Sequence, residues 1–455
     1  MKTLLTILIL STIMNAQFKL PKYETYNLQN GLTVYLLEKR NAPLISLSFT
    51  VNAGSIKDGE NFGLASFTAE ALKFGTASFS KSQIDSTFNF YGSELSSDAG
   101  YDFSIVSSTV MKEYFDQLFN VFSEVILKPK FDDKEVIKRK QRWIAELEQA
   151  KESPRSIISY YFNRLIFAEG IYSNPPQGLK STIEKITPEM IKSFYEQNYH
   201  PEHSALVIVG DFNSKEMKNK IESVFANWNP QSDRLVYDIR YQQKSFNKPR
   251  VYLIDKSNSF ETTFMIGGNG LPMSNDYKIK IEVINTILGG RFTSWLNDEL
   301  RVNAGLTYGA RSRFASYRLA GTFAMSSFTQ TKNTEAAIDL AIKTYNRLFE
   351  KGIDEATLTS AKNYIKGQFP PNYETSNQLA SFFVQKFIYG LDDSYINDFE
   401  ENINSLTVSE TNQIIQKYFP KENLQFTIIG NASEIERVVS KYGEVIKVSI
   451  DEDKF

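Results

Sequence analysis

The segment Leu44–Val51, LISLSFTV, sets Ile45, Leu47, Phe49 and Val51 at every second position against Ser46, Ser48 and Thr50. A period of two predicts a half-buried strand, with one face in a core and the other toward water. Farther along, Phe115, Leu118, Phe119, Phe122 and Ile126 recur at steps of three and four. That period predicts a helix with a single apolar face. Strand and helix patterns share each region of the chain, which points to an α+β fold.

The same patterns occur twice. Residues 186–211, ITPEMIKSFYEQNYHPEHSALVIVGD, and residues 406–431, LTVSETNQIIQKYFPKENLQFTIIGN, both read as a Thr-initiated amphipathic helix, a turn after Tyr, and an apolar strand ending in Gly210 or Gly430. A second echo sets the helix after Asp133 against the helix after Asp354, 221 positions later, close to the 219 that separate Tyr199 from Tyr418. Such a repeat predicts two similar halves. Between them, residues 228–249 carry Pro230, Pro249 and many polar residues with little periodicity, and the linker is placed at 231–248. The expected domains are then 17–230 and 249–455.

The chain opens MKTLLTILILSTIMNAQ, with Lys2, an apolar run from Leu4 to Met14 and Ala16 before Gln17. This is the layout of a signal peptide over residues 1–16. The run is too short to span a bilayer, and no later run has the length of a membrane helix. The expected product is an exported protein, periplasmic in the first instance, with the cell exterior as the alternative. The 455 residues hold no Cys, which excludes disulfides, thiolate metal sites and a Cys nucleophile. Lys and Arg number 51 against 53 Asp and Glu. A net charge of -2 gives no general attraction for nucleic acid.

Residues 30–76, NGLTVYLLEKRNAPLISLSFTVNAGSIKDGENFGLASFTAEALKFGT, resemble the start of the pitrilysin/insulinase zinc peptidases, to which mitochondrial processing peptidase belongs. The resemblance implies two homologous α+β domains, each a mostly antiparallel sheet with helices packed on one face. In active members the helix after Gly-Leu-Ala carries an inverted zinc motif, H-x-x-E-H. Two His one helical turn apart bind the metal, and the Glu is the general base. Here those three positions hold Ser66, Ala69 and Glu70. The family's third ligand matches Glu146, in WIAELEQAKESP, and a helper carboxylate seven residues earlier corresponds to Arg139. Glu70 and Glu146 therefore read as solvated or ion-paired helix residues, with Arg139 as the candidate partner. The two His residues, His200 and His203, flank Pro201 and read as turn and surface positions. The resemblance thus implies no catalytic residue, metal or other cofactor in this chain.

Residues 288–312, LGGRFTSWLNDELRVNAGLTYGARS, resemble the family's second-half signature, where an Arg and a Tyr seven residues apart hold the substrate backbone. Arg301 and Tyr308 stand at that spacing. Both side chains donate hydrogen bonds suited to a peptide carbonyl and its oxyanion. Gly289 and Gly290, after the apolar run IEVINTIL, read as a cap for that helix. With the zinc motif changed and the Arg/Tyr pair kept, the resemblance implies a non-catalytic subunit, inactive alone. Its expected partner is a homologous zinc-bearing subunit, its ligand a peptide substrate, and zinc is expected in the partner. The alternative is a non-enzymatic scaffold or peptide-binding protein.

Overall fold

The computed structural model describes residues 18–229 and 239–454. The expected signal peptide lies outside them, as do residues 231–238 of the expected linker. Two six-stranded sheets organise the chain. The first half contributes β1 (Glu24–Asn27), β2 (Thr33–Glu38), β3 (Leu44–Val51), β4 (Ser96–Ala99), β5 (Ser104–Met111) and β6 (Ser204–Gly210), in the order β1-β2-β6-β3-β5-β4. The second contributes β7 (Arg250–Asp255), β8 (Glu261–Asn269), β9 (Ala310–Ser316), β10 (Gly321–Gln330), β11 (Gln425–Gly430) and β12 (Glu444–Ser449), in the order β12-β7-β11-β8-β10-β9.

Apart from the edge strands β1 and β12, the two orders match strand for strand. Each has one parallel pair at the equivalent place, β2 with β6 and β7 with β11, and antiparallel pairs beyond it. The halves differ at the remaining edge, where β1 runs antiparallel to β2 but β12 runs parallel to β7. Two mostly antiparallel α+β halves therefore follow one another, as the internal repeat predicts.

Local chemistry explains the repeated helices. Thr187 starts the helix Pro188–Asn198 by accepting from Met190 N at 3.3 Å, and Thr407 starts Val408–Tyr418 by accepting from Glu410 N at 3.2 Å. Such caps satisfy backbone donors that a helix start leaves free. The second echo is corrected by one residue. Asp354 caps Glu355–Gln368 through Thr357 N at 2.8 Å, and its counterpart is Asp132, which caps Asp133–Ala150 through Lys134 N at 3.0 Å. Asp133 is the first helical residue instead.

β3 departs from its half-buried expectation. Every residue from Ile45 to Val51 is buried, Ser46, Ser48 and Thr50 included. The hydroxyl of Ser46 lies 3.1 Å from that of Thr109, and Thr50 donates to Ser104 O at 3.0 Å. What covers this face is the helix Ser376–Tyr389 from the second half, which packs on β3 and β6. The helix Pro154–Phe167 of the first half packs in turn on β8 and β11. These two helices occupy equivalent places in the repeat, so the halves exchange helices across their seam. Helices of the same half cover the expected face of each sheet, and the exchanged helix covers the other.

The exchange places Phe383 against Tyr35, ring centroids 5.4 Å apart, and Tyr161 against Tyr252 at 6.0 Å. Each large apolar side chain buried this way contributes roughly 1.5–3 kcal/mol. Two equivalent hairpin turns also meet at the seam. Tyr101, after β4, and Tyr317, after β9, cross edge to face at 4.8 Å, and both hydroxyls accept from Asn163 Nδ2, at 2.9 and 3.0 Å. Asp102 is buried beside them, accepting from Tyr172 Oη at 2.8 Å and Arg318 N at 3.0 Å. Burial raises its pKa, while those two donors pull it back.

The described part of the linker has neither helix nor strand, yet it is held. Tyr241 packs against Phe167, and Gln243 Nε2 donates to Gly321 O at 2.8 Å. Among the described residues no helix is long and apolar enough to cross a membrane.

Candidate functional site

The helix Leu64–Ala71 begins at Gly63, whose φ of +96° favours glycine. Asp58 fixes this start, accepting from Gly63 N and Ala65 N, each at 2.8 Å. From there Ser66, Ala69 and Glu70 take their places. Ser66 is 2% exposed, and its hydroxyl donates to Pro176 O at 2.7 Å. Ala69 is fully buried and presents only a methyl group. Ser97 of β4 donates to its carbonyl oxygen.

Glu70 faces the helix Asp133–Ala150. Arg139 Nε donates to Glu70 Oε1 at 2.6 Å, while its Nη1 and Nη2 donate to the two oxygens of Glu146 at 3.0 and 2.9 Å. One guanidinium thus binds two carboxylates, forking onto Glu146 two turns along its own helix. Its plane lies over Trp143 at 4.6 Å, and Trp143 stacks on Phe67 of the first helix at 5.1 Å. Burial works against the Arg139 charge, but the two carboxylates outweigh it and hold the pKa above the usual arginine value.

Zinc requires about four lone pairs converging at roughly 2.0–2.3 Å. Here the hydroxyl is directed at a backbone carbonyl, the methyl offers no lone pair, and the carboxylates are held by a cation. The residues present do not fit a zinc ion. Among the described residues no group of three or more His, Asp or Glu side chains is placed to hold a metal. His200 and His203 lie in and beside the short turn Pro201–His203. His200 lines a separate groove of about 700 Å³ with Tyr195 and Trp228.

The second-half segment is arranged differently. The helix Lys278–Asn285 runs on into a wide turn, Thr286–Gly290. Gly289 and Gly290 lie within that turn rather than capping the helix. A Cβ on Gly289 would lie 2.2 Å from Ser312 N, so its lack of a side chain lets the helix meet β9. Asn285 and Ser312 lock the contact, Ser312 Oγ donating to Asn285 Oδ1 at 2.7 Å and Asn285 Nδ2 to Ser312 O at 3.1 Å.

Arg301 lies half-exposed within the helical turn Asp298–Asn303, its guanidinium 4.5 Å from the ring of Phe292. Tyr308 is 84% exposed. The backbone beneath it is fastened, with Leu306 N donating to Leu300 O at 2.8 Å and Ala310 N to Asn297 Oδ1 at 3.0 Å. The structure joins Glu70, Arg139 and Glu146 in one cluster. It does not join Arg301 or Tyr308 to that cluster by any hydrogen bond or ion pair among the described residues. Missing from the sequence reading are the seam residues Tyr101, Asp102, Asn163 and Tyr317, because their contacts depend on the helix exchange.

Comparison with known proteins gives this geometry a family. Residues 33–175 match the model for Insulinase (Peptidase family M16), and residues 185–365 match the Peptidase M16 inactive domain. The non-peptidase homolog YmxG of Helicobacter pylori is 24% identical, over 95% of this chain and 99% of that one. The zinc protease PqqE of the same organism is 22% identical, over 90% and 93%. Among solved structures, a peptidase M16 inactive domain from Pseudomonas fluorescens superimposes with a TM-score of 0.83 at 23% identity, over 90% of this chain and 98% of that one. A protease from Helicobacter pylori reaches the same TM-score at 19% identity, over 90% and 100%. The chain belongs to the insulinase family of peptidases, family M16.

Proposed function

We propose that this chain is the non-catalytic subunit of an exported two-subunit zinc peptidase. A zinc-bearing relative supplies the metal and the general base. This chain supplies one wall of the peptide chamber together with Arg301 and Tyr308. The observation that carries the reading is the exposure of a fastened segment. Tyr308 is 84% exposed, and Phe292 and Val302 are each 68% exposed within the same stretch. Large apolar groups exposed together mark contact surfaces.

In the complex, the Arg301 guanidinium and the Tyr308 hydroxyl donate to the scissile carbonyl of a peptide held against the partner's metal. As that oxygen gains negative charge, the same donors stabilise it more strongly. The pairing draws support from Helicobacter pylori, where both a non-peptidase homolog and a zinc protease match this chain. The alternative, a peptide-binding scaffold without catalysis, draws on the first of those relatives, a non-peptidase homolog. Native purification from the exported fraction separates the two. The subunit reading expects a homologous zinc-bearing chain to co-elute at one to one. Elution of this chain alone from a fraction that holds such a relative favours the scaffold.

A further inference from the structure

Tyr308 stands at the mouth of a groove of about 670 Å³. The groove runs between the exchanged helix Pro154–Phe167 and strands β8, β9 and β10. Its lining holds Arg155, Arg311 and Arg313, and no Asp or Glu. In a chain with net charge -2 this is a local reversal of sign.

The three arginines differ in how they are held. Arg155 is tied on one side, donating to Glu261 at 2.7 Å and lying over the Phe328 ring at 3.3 Å. Arg311 and Arg313 follow the alternation of β9 and are both exposed, with Ser312 between them turned toward Asn285. Glu282, exposed on the helix Lys278–Asn285 between buried neighbours, lies within electrostatic reach of Arg313, as do Lys278 and Tyr317. Tyr160 and Tyr317 add aromatic surface to the wall. Asn285 already occupies the carbonyl of Ser312, so the outer edge of β9 is partly covered. Recognition in the groove therefore falls to side chains rather than to an added strand.

Resting on the reading of Arg301 and Tyr308 as peptide-contacting groups, we propose that this groove selects extended peptides carrying Asp or Glu side chains beside the residue that Tyr308 contacts. Two outward guanidiniums and no lining carboxylate complement acidic side chains and disfavour basic ones.

The test uses the purified full chain and two fluorescein-labelled peptides of equal length, one with two central Glu residues and one with Gln in their place. Fluorescence polarisation should show the Glu peptide binding about tenfold more tightly at low salt, the sum of modest exposed ion pairs. The preference should shrink at about 0.5 M salt. It should also disappear in the double variant Arg311→Gln with Arg313→Gln. That variant's circular dichroism and melting should match the parent, because both side chains are exposed. Equal affinity for the two peptides, or no binding of either at millimolar concentration, overturns the proposal. A charge preference that persists while no zinc-bearing relative is ever activated removes the subunit reading and leaves the groove. Activation without a preference removes the groove alone.

Discussion

Glu70 and Tyr308 occupy places that the family resemblance assigns to the chemistry of one active site, yet their surroundings are opposite. Glu70 points into a guanidinium, in a cluster where every charged group has its counterpart. Tyr308 points into solvent from a backbone pinned on both sides. In the first region both carboxylates are taken up by Arg139. The second sets the Arg301 and Tyr308 donors on a fastened backbone, with no hydrogen-bond acceptor for either side chain among the described residues. The difference teaches that the positions matching the family's metal ligands are tied into the fold by an ion cluster. A cation supplied by the chain itself, Arg139, now sits among the carboxylates.

The comparison can be broken most sharply at Arg301. In a reconstituted mixed complex, Arg301→Ala should lower kcat by about 10²–10³-fold, the effect of removing one oxyanion donor, read in a peptide-cleavage assay. Unchanged kinetics would end its active-site role.

The positions that match the family's zinc motif offer the next test. Reversion of three positions, Ser66→His, Ala69→Glu and Glu70→His, should leave the chain without zinc, because Arg139 still places a positive charge beside the ligands. Adding Arg139→Glu should raise the metal content to about one zinc per chain by elemental analysis. Zinc in the triple variant would show that the guanidinium does not exclude the metal.

A smaller effect is expected from Arg139→Met in the otherwise unaltered chain. It leaves Glu70, 26% exposed in its side chain, without its partner, at a cost of about 1–2 kcal/mol in urea unfolding. Glu146, 59% exposed, should contribute little to that loss. Activation of the partner at temperatures well below melting should not change. Smallest of all, Tyr308→Ala should shift unfolding by less than about 0.5 kcal/mol, as for an exposed surface residue. A larger loss would mean that Tyr308 carries structure rather than substrate.

The ion cluster was legible because Arg139 and Glu146 are two turns apart on one helix and the resemblance brings Glu70 beside them. The repeat was legible through Thr187, Thr407, Gly210 and Gly430, whose caps and strand ends are local chemistry. β3 shows where such reading stops. Ser46, Ser48 and Thr50 mark a polar face by periodicity, but the helix Ser376–Tyr389 covers it from more than 300 residues away. Gly289 carries the same lesson. A glycine after an apolar run reads as a cap, whereas here it clears space for Ser312, a contact no local pattern encodes. The arginine groove was hidden for a related reason, since Arg155 meets Arg311 and Arg313 only through the exchange of helices.

The most direct test of the central claim is titration of this chain into a zinc-bearing relative from the same cell, with peptide cleavage and zinc content measured at each ratio. The account predicts no cleavage by this chain alone, activity that rises and saturates at one to one, and one zinc per complex residing in the partner. Activity and zinc in this chain by itself, or full activity of the partner that this chain leaves unchanged, would contradict it.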